Sequence, residues 1–164
     1  MRRVGAAQQS SLDIVARDAV SPHIIADDLL QRTGSALLNS DAQVFVDCFA
    51  LPQEFETAAG KIRVETQEHL TRMFETVHQK YKSIGLTGMV RHVIQAEYRD
   101  AATIAFVHET RLLRATTLLQ EPFPAFSIVR NVDGIWRVHS SSYGATEDSI
   151  AGRTLNAALH LERA

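Results

Sequence analysis

Four apolar-alternating runs fill the second half of the chain, and they restrict the fold to one built on antiparallel sheet. Met89–Tyr98 and Thr103–Leu113 flank the tight turn Arg99-Asp100-Ala101. Ala125–Arg130 and Ile135–Tyr143 flank Asn131-Val132-Asp133-Gly134. Asp-Gly favours a two-residue hairpin turn because glycine takes a positive φ without a steric penalty. Residues 114–124, with Pro122 and Pro124, form a longer connection between the two pairs.

Helices precede this run. Ser21-Pro22 starts the first, as a hydroxyl residue at the N-cap followed by proline at the first helical position. Ile25, Leu29, Leu37 and Leu38 continue an apolar stripe that Gly34 weakens. Asn39-Ser40-Asp41 ends that helix and caps a short one, Ala42–Leu51, which Pro52 stops. Phe55 and Thr57 alternate with Glu54 and Glu56, and Ile62 and Val64 with Arg63 and Glu65. Ala58-Ala59-Gly60 turns the chain between them, predicting a hairpin. Thr66 opens the clearest helix, where Leu70, Met73, Phe74, Val77, Tyr81 and Ile84 recur at spacings of three and four and Gly85 stands at the C-cap. Thr146 caps a last helix, Glu147–Leu161. Helices segregated from antiparallel strands predict an α+β domain whose sheet curls around the helices into a cone with a cavity at its wide end.

The chain has 164 residues, enough for one domain. We expect an N-terminal arm over 1–20, with one helical turn around Leu12–Ala16, the α+β domain over 21–145 and a helical tail over 146–164. A net charge of -2 provides no field for nucleic acid or an anionic membrane. No run of about 20 apolar residues is present to span a bilayer, and Asp13, Arg17 and Asp18 interrupt the N-terminal stretch where a signal peptide would be apolar. Cys48 is the sole cysteine, which excludes an internal disulfide and a zinc ribbon and fits a reducing cytoplasm. Arginine far outnumbers lysine, a bias expected of a GC-rich bacterial genome.

Two segments carry a resemblance. ALLNSDAQVFVDCFA resembles a first-helix exit in which a small-polar-Asp step precedes a short helix ending in Phe. FPAFSIVRNVDGIWRVHSSSYG resembles a closing hairpin in which an Asp-Gly turn leads into an apolar–Trp–basic–apolar strand. Over residues 22–144 the element order and these segments resemble the superfamily of nuclear transport factor two, SnoaL-like polyketide cyclases and ketosteroid isomerase. The resemblance implies a cystatin-like, SnoaL-like cone: a curved antiparallel sheet wrapped around N-terminal helices, with a C-terminal helix. It does not imply one function, because the superfamily holds enzymes and non-enzymes alike. Carried onto this chain, the isomerase's tyrosine falls on Thr33, its carboxylate base on Thr57 and its oxyanion-hole acid on Phe126. None of these can do that chemistry unaided, so ketosteroid isomerase activity is not expected. A one-residue slip in register would turn Glu56 inward in place of Thr57.

Strand alternation groups Ile104, Phe106, His108, Thr110 and Leu112 on one face, read as inward. Val90, His92, Ile94 and Ala96 are read inward on the strand before it, which sets His92 nearly opposite His108. His139, Ser141 and Tyr143 share a face that the resemblance implies is inward, with Trp136 on the other side. The candidate catalytic residues are His108, His139 and Tyr143, since imidazole exchanges protons near neutral pH and a phenol can hydrogen-bond a carbonyl or enolate oxygen. Thr33, Phe45, Phe49, Thr57, His92, Phe106, Phe126 and Ser141 are the expected pocket lining. Each histidine also reads as a half-buried strand residue with a local partner. No HExxH or facial-triad spacing occurs, so no metal or other cofactor is expected.

Two functions remain open at this level. One is a cofactor-free lyase, isomerase, cyclase or dehydratase acting on a small apolar organic molecule. The other is a non-catalytic ligand-binding or assembly domain. The resemblance implies a homodimer through the outer sheet face, where Ala105, Val107 and Trp136 are placed.

Overall fold

The computed structural model describes residues 20–159. Residues 1–19 of the N-terminal arm, with the turn expected at Leu12–Ala16, and His160 and Leu161 lie outside the described residues. The elements run α1 (Pro22–Asn39), α2 (Ala42–Asp47), β1 (Phe49–Thr57), β2 (Gly60–Val64), α3 (Gln67–Ser83), β3 (Gly88–Asp100), β4 (Thr103–Arg114), β5 (Thr117–Leu118), β6 (Phe123–Val132), β7 (Ile135–Tyr143) and α4 (Ile150–Leu159).

Local chemistry sets most boundaries. The Thr66 hydroxyl accepts from the His69 N–H and caps α3. At the other end Gly85 takes φ +74, and the Leu86 N–H bonds the Tyr81 carbonyl at 3.0 Å, closing a Schellman turn. Asp41 caps α2 through the Val44 N–H. Ser21 precedes α1 without a side-chain capping bond. The second helix is shorter than expected. It ends at Asp47, and Phe49–Leu51 already belong to β1. Ser149, not Thr146, caps α4 by accepting from the Gly152 N–H, while Gln120 accepts from the Ala151 N–H.

The sheet is curved and open, in the order β2-β1-β7-β6-β4-β3, with β5 paired to the end of β4. It is mixed rather than wholly antiparallel, because β1 runs parallel to β7. Both long hairpins form as the sequence predicts. Val132 pairs with Ile135 around Asp133 (φ +55) and Gly134 (φ +83), and Asn131 Oδ1 accepts from the Gly134 N–H.

The buried stripe of α3 (Leu70, Met73, Phe74, Val77, Tyr81) and that of α1 (Ala26, Leu29, Leu30, Thr33, Gly34, Ala36, Leu37) face the sheet. Two apolar clusters result. One gathers Leu29, Phe49, Phe55, Leu70 and Phe106, and the other Leu37, Phe74, Tyr81, Leu112 and Phe123. The last helix α4 packs on α3 and β1. The Thr57 hydroxyl donates to Asn156 Oδ1 at 2.9 Å and ties β1 to it.

Two β-bulges reverse the side-chain parity expected on two strands. On β3 the register shifts between Val93 and Gln95. Ala96 and Tyr98 pack on the core, but before the bulge the inward residues are Arg91 and Val93. Counting back by twos from Ala96 crosses the extra residue and puts His92 on the wrong face. On β7 the shift lies opposite Ile128/Val129. Val138 and Trp136 pack on the core on one side of it, and Ser141 and Tyr143 turn inward on the other.

Candidate functional site

A cavity of about 70 Å³ lies where the two apolar clusters meet. Helix α1 brings Thr33 and Leu37 to it, and α3 brings Met73, Phe74, Val77 and Tyr81. Strands supply Phe49, Phe55, Arg91, Thr110, Phe123 and Tyr143, and α4 covers it with Leu155, Ala158 and Leu159. One wall is a continuous row of rings. Phe74 to Phe45, Phe45 to Phe49, Phe49 to Phe55 and Phe55 to Tyr143 have centroid separations of 5.0, 4.7, 5.9 and 6.4 Å. Successive tilted and offset rings of this kind make a rigid apolar surface.

The polar groups collect at Arg91. Its Nη1 donates to Thr33 Oγ1 at 2.6 Å and to the Leu30 carbonyl at 3.4 Å. The Thr33 hydroxyl donates to the Leu29 carbonyl at 2.8 Å, which leaves a lone pair for the arginine. Arg91 Nε is sealed from solvent without a partner. No carboxylate among the described residues pairs with this guanidinium, and burial lowers its pKa from the usual value. Tyr81 and Tyr143 also line the cavity. Burial raises the pKa of both and the Arg91 charge opposes that rise, so both stay protonated donors.

Of the residues expected at the site, Thr33, Phe45, Phe49 and Tyr143 line the cavity. The histidines do not. His92 is exposed on the outer face and pairs with Glu109, while His108 pairs with Val93. His108 is 2% exposed, packs 5.6 Å from Phe106, and neither ring nitrogen has a partner. Desolvation, with the Arg91 charge adding to it, pushes its pKa down to about 3. It is therefore a neutral imidazole at neutral pH. His139 lies on the bulged part of β7 and lines a separate groove with Leu51, Arg130 and Arg137. Burial and then Arg130 lower its pKa, with Glu54 opposing.

The other expected lining residues take structural places. Thr57 is buried and Glu56 is exposed beside Lys61, so the register question falls to Thr57, yet that hydroxyl holds α4 and does not reach the cavity. Phe106 is core. Ser141 shares a buried hydrogen bond with Ser127 at 3.1 Å. Phe126 is 40% exposed and faces outward, because β6 turns Ala125 and Ser127 inward and pairs Phe126 with Val107. Trp136, placed on the outer face by the sequence, packs inward 6.1 Å from Tyr98.

Alternation counted without the bulge hid Arg91, and the stripe of α3 absorbed Tyr81 as a core residue. The signal for Arg91 was a lone cation between Val90 and Val93 on a strand with a buried face. Among the described residues no three His, Cys, Asp or Glu side chains gather to hold a metal, and no helix is long and apolar enough to cross a membrane.

No family model matches the chain, and no curated protein does. Solved structures do. A domain of unknown function with a cystatin-like fold from Nostoc punctiforme superposes with a TM-score of 0.62 at 11% identity, covering 78% of this chain and 80% of that one. The chain has the cystatin-like fold of NTF2-like proteins. An NTF2-like protein from Novosphingobium aromaticivorans matches with a TM-score of 0.60 at 13% identity over 94% of this chain and 98% of that one. A protein of unknown function from Mycobacterium tuberculosis matches with a TM-score of 0.60 at 13% identity over 99% and 95%. At these identities the NTF2-like likeness concerns the fold alone.

Proposed function

We propose that this NTF2-like chain binds a small organic molecule in the cavity between α1, α3, α4 and the sheet. The observation that carries the reading is the cavity's composition. Its walls are aromatic and aliphatic, and its few polar residues, Arg91, Tyr81, Tyr143, Thr33 and Thr110, give it the mostly apolar composition with a few polar groups that small-molecule pockets have. Of the acid-base candidates only Tyr143 lines it. Among the described residues neither a carboxylate nor an imidazole does, so their part of the wall supplies hydrogen-bond donors and no general base. Binding is thus favoured over lyase, isomerase or cyclase chemistry.

The test is ligand-observed NMR with a panel of small apolar fragments against the wild type and Val77→Phe, a variant that fills the cavity. Fragments should bind the wild type and lose binding in the variant. Equal binding to both proteins would overturn the reading.

An assembly role is the second reading, favoured by the outer sheet face. Phe126 at 40% exposed and Ile94 at 57% stand there, with Val107 paired to Phe126. A homodimer through this face would bury them. Sedimentation of wild type and Phe126→Glu should then show a dimer and a monomer; two identical profiles would remove this reading.

A further inference from the structure

We infer that the cavity's ligand is a small monocarboxylate, held by its acid group on Arg91 and by its apolar end against the aromatic row. This rests on the cavity being a binding site and adds the ligand's chemical class.

The argument begins with an uncompensated charge. A guanidinium has five N–H donors and stays charged in proteins. Removing such a cation from water is costly unless an anion or a full set of acceptors meets it. Arg91 has neither. Only Nη1 has partners, Thr33 Oγ1 and the Leu30 carbonyl, both neutral. Nε is shut off from solvent and unpartnered, while Nη2 bonds no described residue and is not shut off, the half-buried side chain also edging a surface groove with Gln31 and Ser35. An arginine serving only to tie β3 to α1 would spend its other donors on carbonyls. Here they remain free beside a cavity lined by two further donors, Tyr81 and Tyr143.

The donors select the anion. One cation and two neutral phenols match a single negative charge, and a planar guanidinium matches a planar carboxylate through paired hydrogen bonds. A phosphate dianion would need a second cation, and Arg91 is the only basic residue lining the cavity among the described residues. Phe45, Phe49, Phe55 and Phe74 line the same cavity and suit an alkyl end. Size limits the rest. A cavity of about 70 Å³, at roughly 10–15 Å³ per enclosed water, holds on the order of six non-hydrogen atoms. Butyrate has that size, and butyramide has the same shape without the charge.

The experiment titrates isotope-labelled full-length protein with butyrate, butyramide and inorganic phosphate, following Met73, Tyr81 and Tyr143 by NMR. Butyrate should bind about tenfold more tightly than butyramide, phosphate should not displace it, and the preference should vanish in Arg91→Met. Butyrate binding to the wild type should also fade as pH falls through the ligand's own pKa, a reading that does not depend on the variant folding. Equal binding of acid and amide would overturn the carboxylate inference and leave the cavity reading standing. So would apolar fragments binding while butyrate does not. A preference that survives in folded Arg91→Met would remove Arg91 as the anchor. If neither butyrate nor any apolar fragment binds, both readings fall.

Discussion

Arg91 Nη1 lies 2.6 Å from Thr33 Oγ1, and this contact joins the third strand to the first helix at the polar end of the cavity. Thr33 can accept because its own proton goes to the Leu29 carbonyl. The threonine hydroxyl thus serves as a relay between helix backbone and guanidinium.

Thr33→Val keeps the side chain's shape and removes the acceptor. Arg91 then loses its shortest hydrogen bond while its Nε stays shut off from solvent. We expect a loss of about 1–3 kcal/mol in stability, read by urea denaturation, and Thr33→Ser should recover most of it. Equal midpoints for wild type and Thr33→Val would show that the contact contributes nothing.

His108 makes stability depend on pH. Its folded pKa is depressed to about 3, so the unfolded chain takes up a proton near pH 6.5 that the folded chain refuses. This contribution is intact above the unfolded pKa and is lost as pH falls toward the folded one. Between pH 7 and pH 5 it should cost about 2 kcal/mol. His108→Leu should flatten the profile over that range and, by deleting two unpartnered buried nitrogens, leave stability at pH 7 equal or higher. A profile as steep as that of the wild type would contradict the assignment.

Gly34 sits inside α1 with room to spare. A Cβ there would meet Arg91 Cδ at 3.7 Å and Met89 Sδ at 3.9 Å, ordinary contacts. Gly34→Ala should therefore stabilise by about 1 kcal/mol through helix propensity, seen as a raised Tm. A lowered Tm would mean that β3 needs the bare backbone.

Gly152 is the opposite case. A Cβ there would overlap the Thr146 carbonyl, which is backbone and cannot swing aside. Gly152→Ala should cost about 1–3 kcal/mol and loosen α4, the helix that covers the cavity. Hydrogen exchange over 150–159 should rise in this variant. Unchanged protection there would refute the close approach.

Much of the fold was legible because its signals are local. The stripe of α3, Gly85 at its C-cap and the Asp133-Gly134 turn each depend on a few neighbouring residues. The likeness to NTF2-like proteins was readable for the same reason, since it rests on the order of such elements. Tyr143 and Thr33 line the cavity.

What the amino-acid sequence alone determined was the set of elements and which residues are apolar. The tertiary structure decided which face each strand residue takes, because parity along a strand survives only until an extra residue is inserted. The bulge after Val93 is visible only in the pairing of β3 with β4, and it turned His92 out and Arg91 in. The parallel pairing of β1 with β7 and the seat of α4 on α3 are likewise long-range choices, made by packing and not by propensity. The chemistry of the cavity follows from those choices. Arg91 meets the rings of the cavity only because three helices and a curved sheet pack together there.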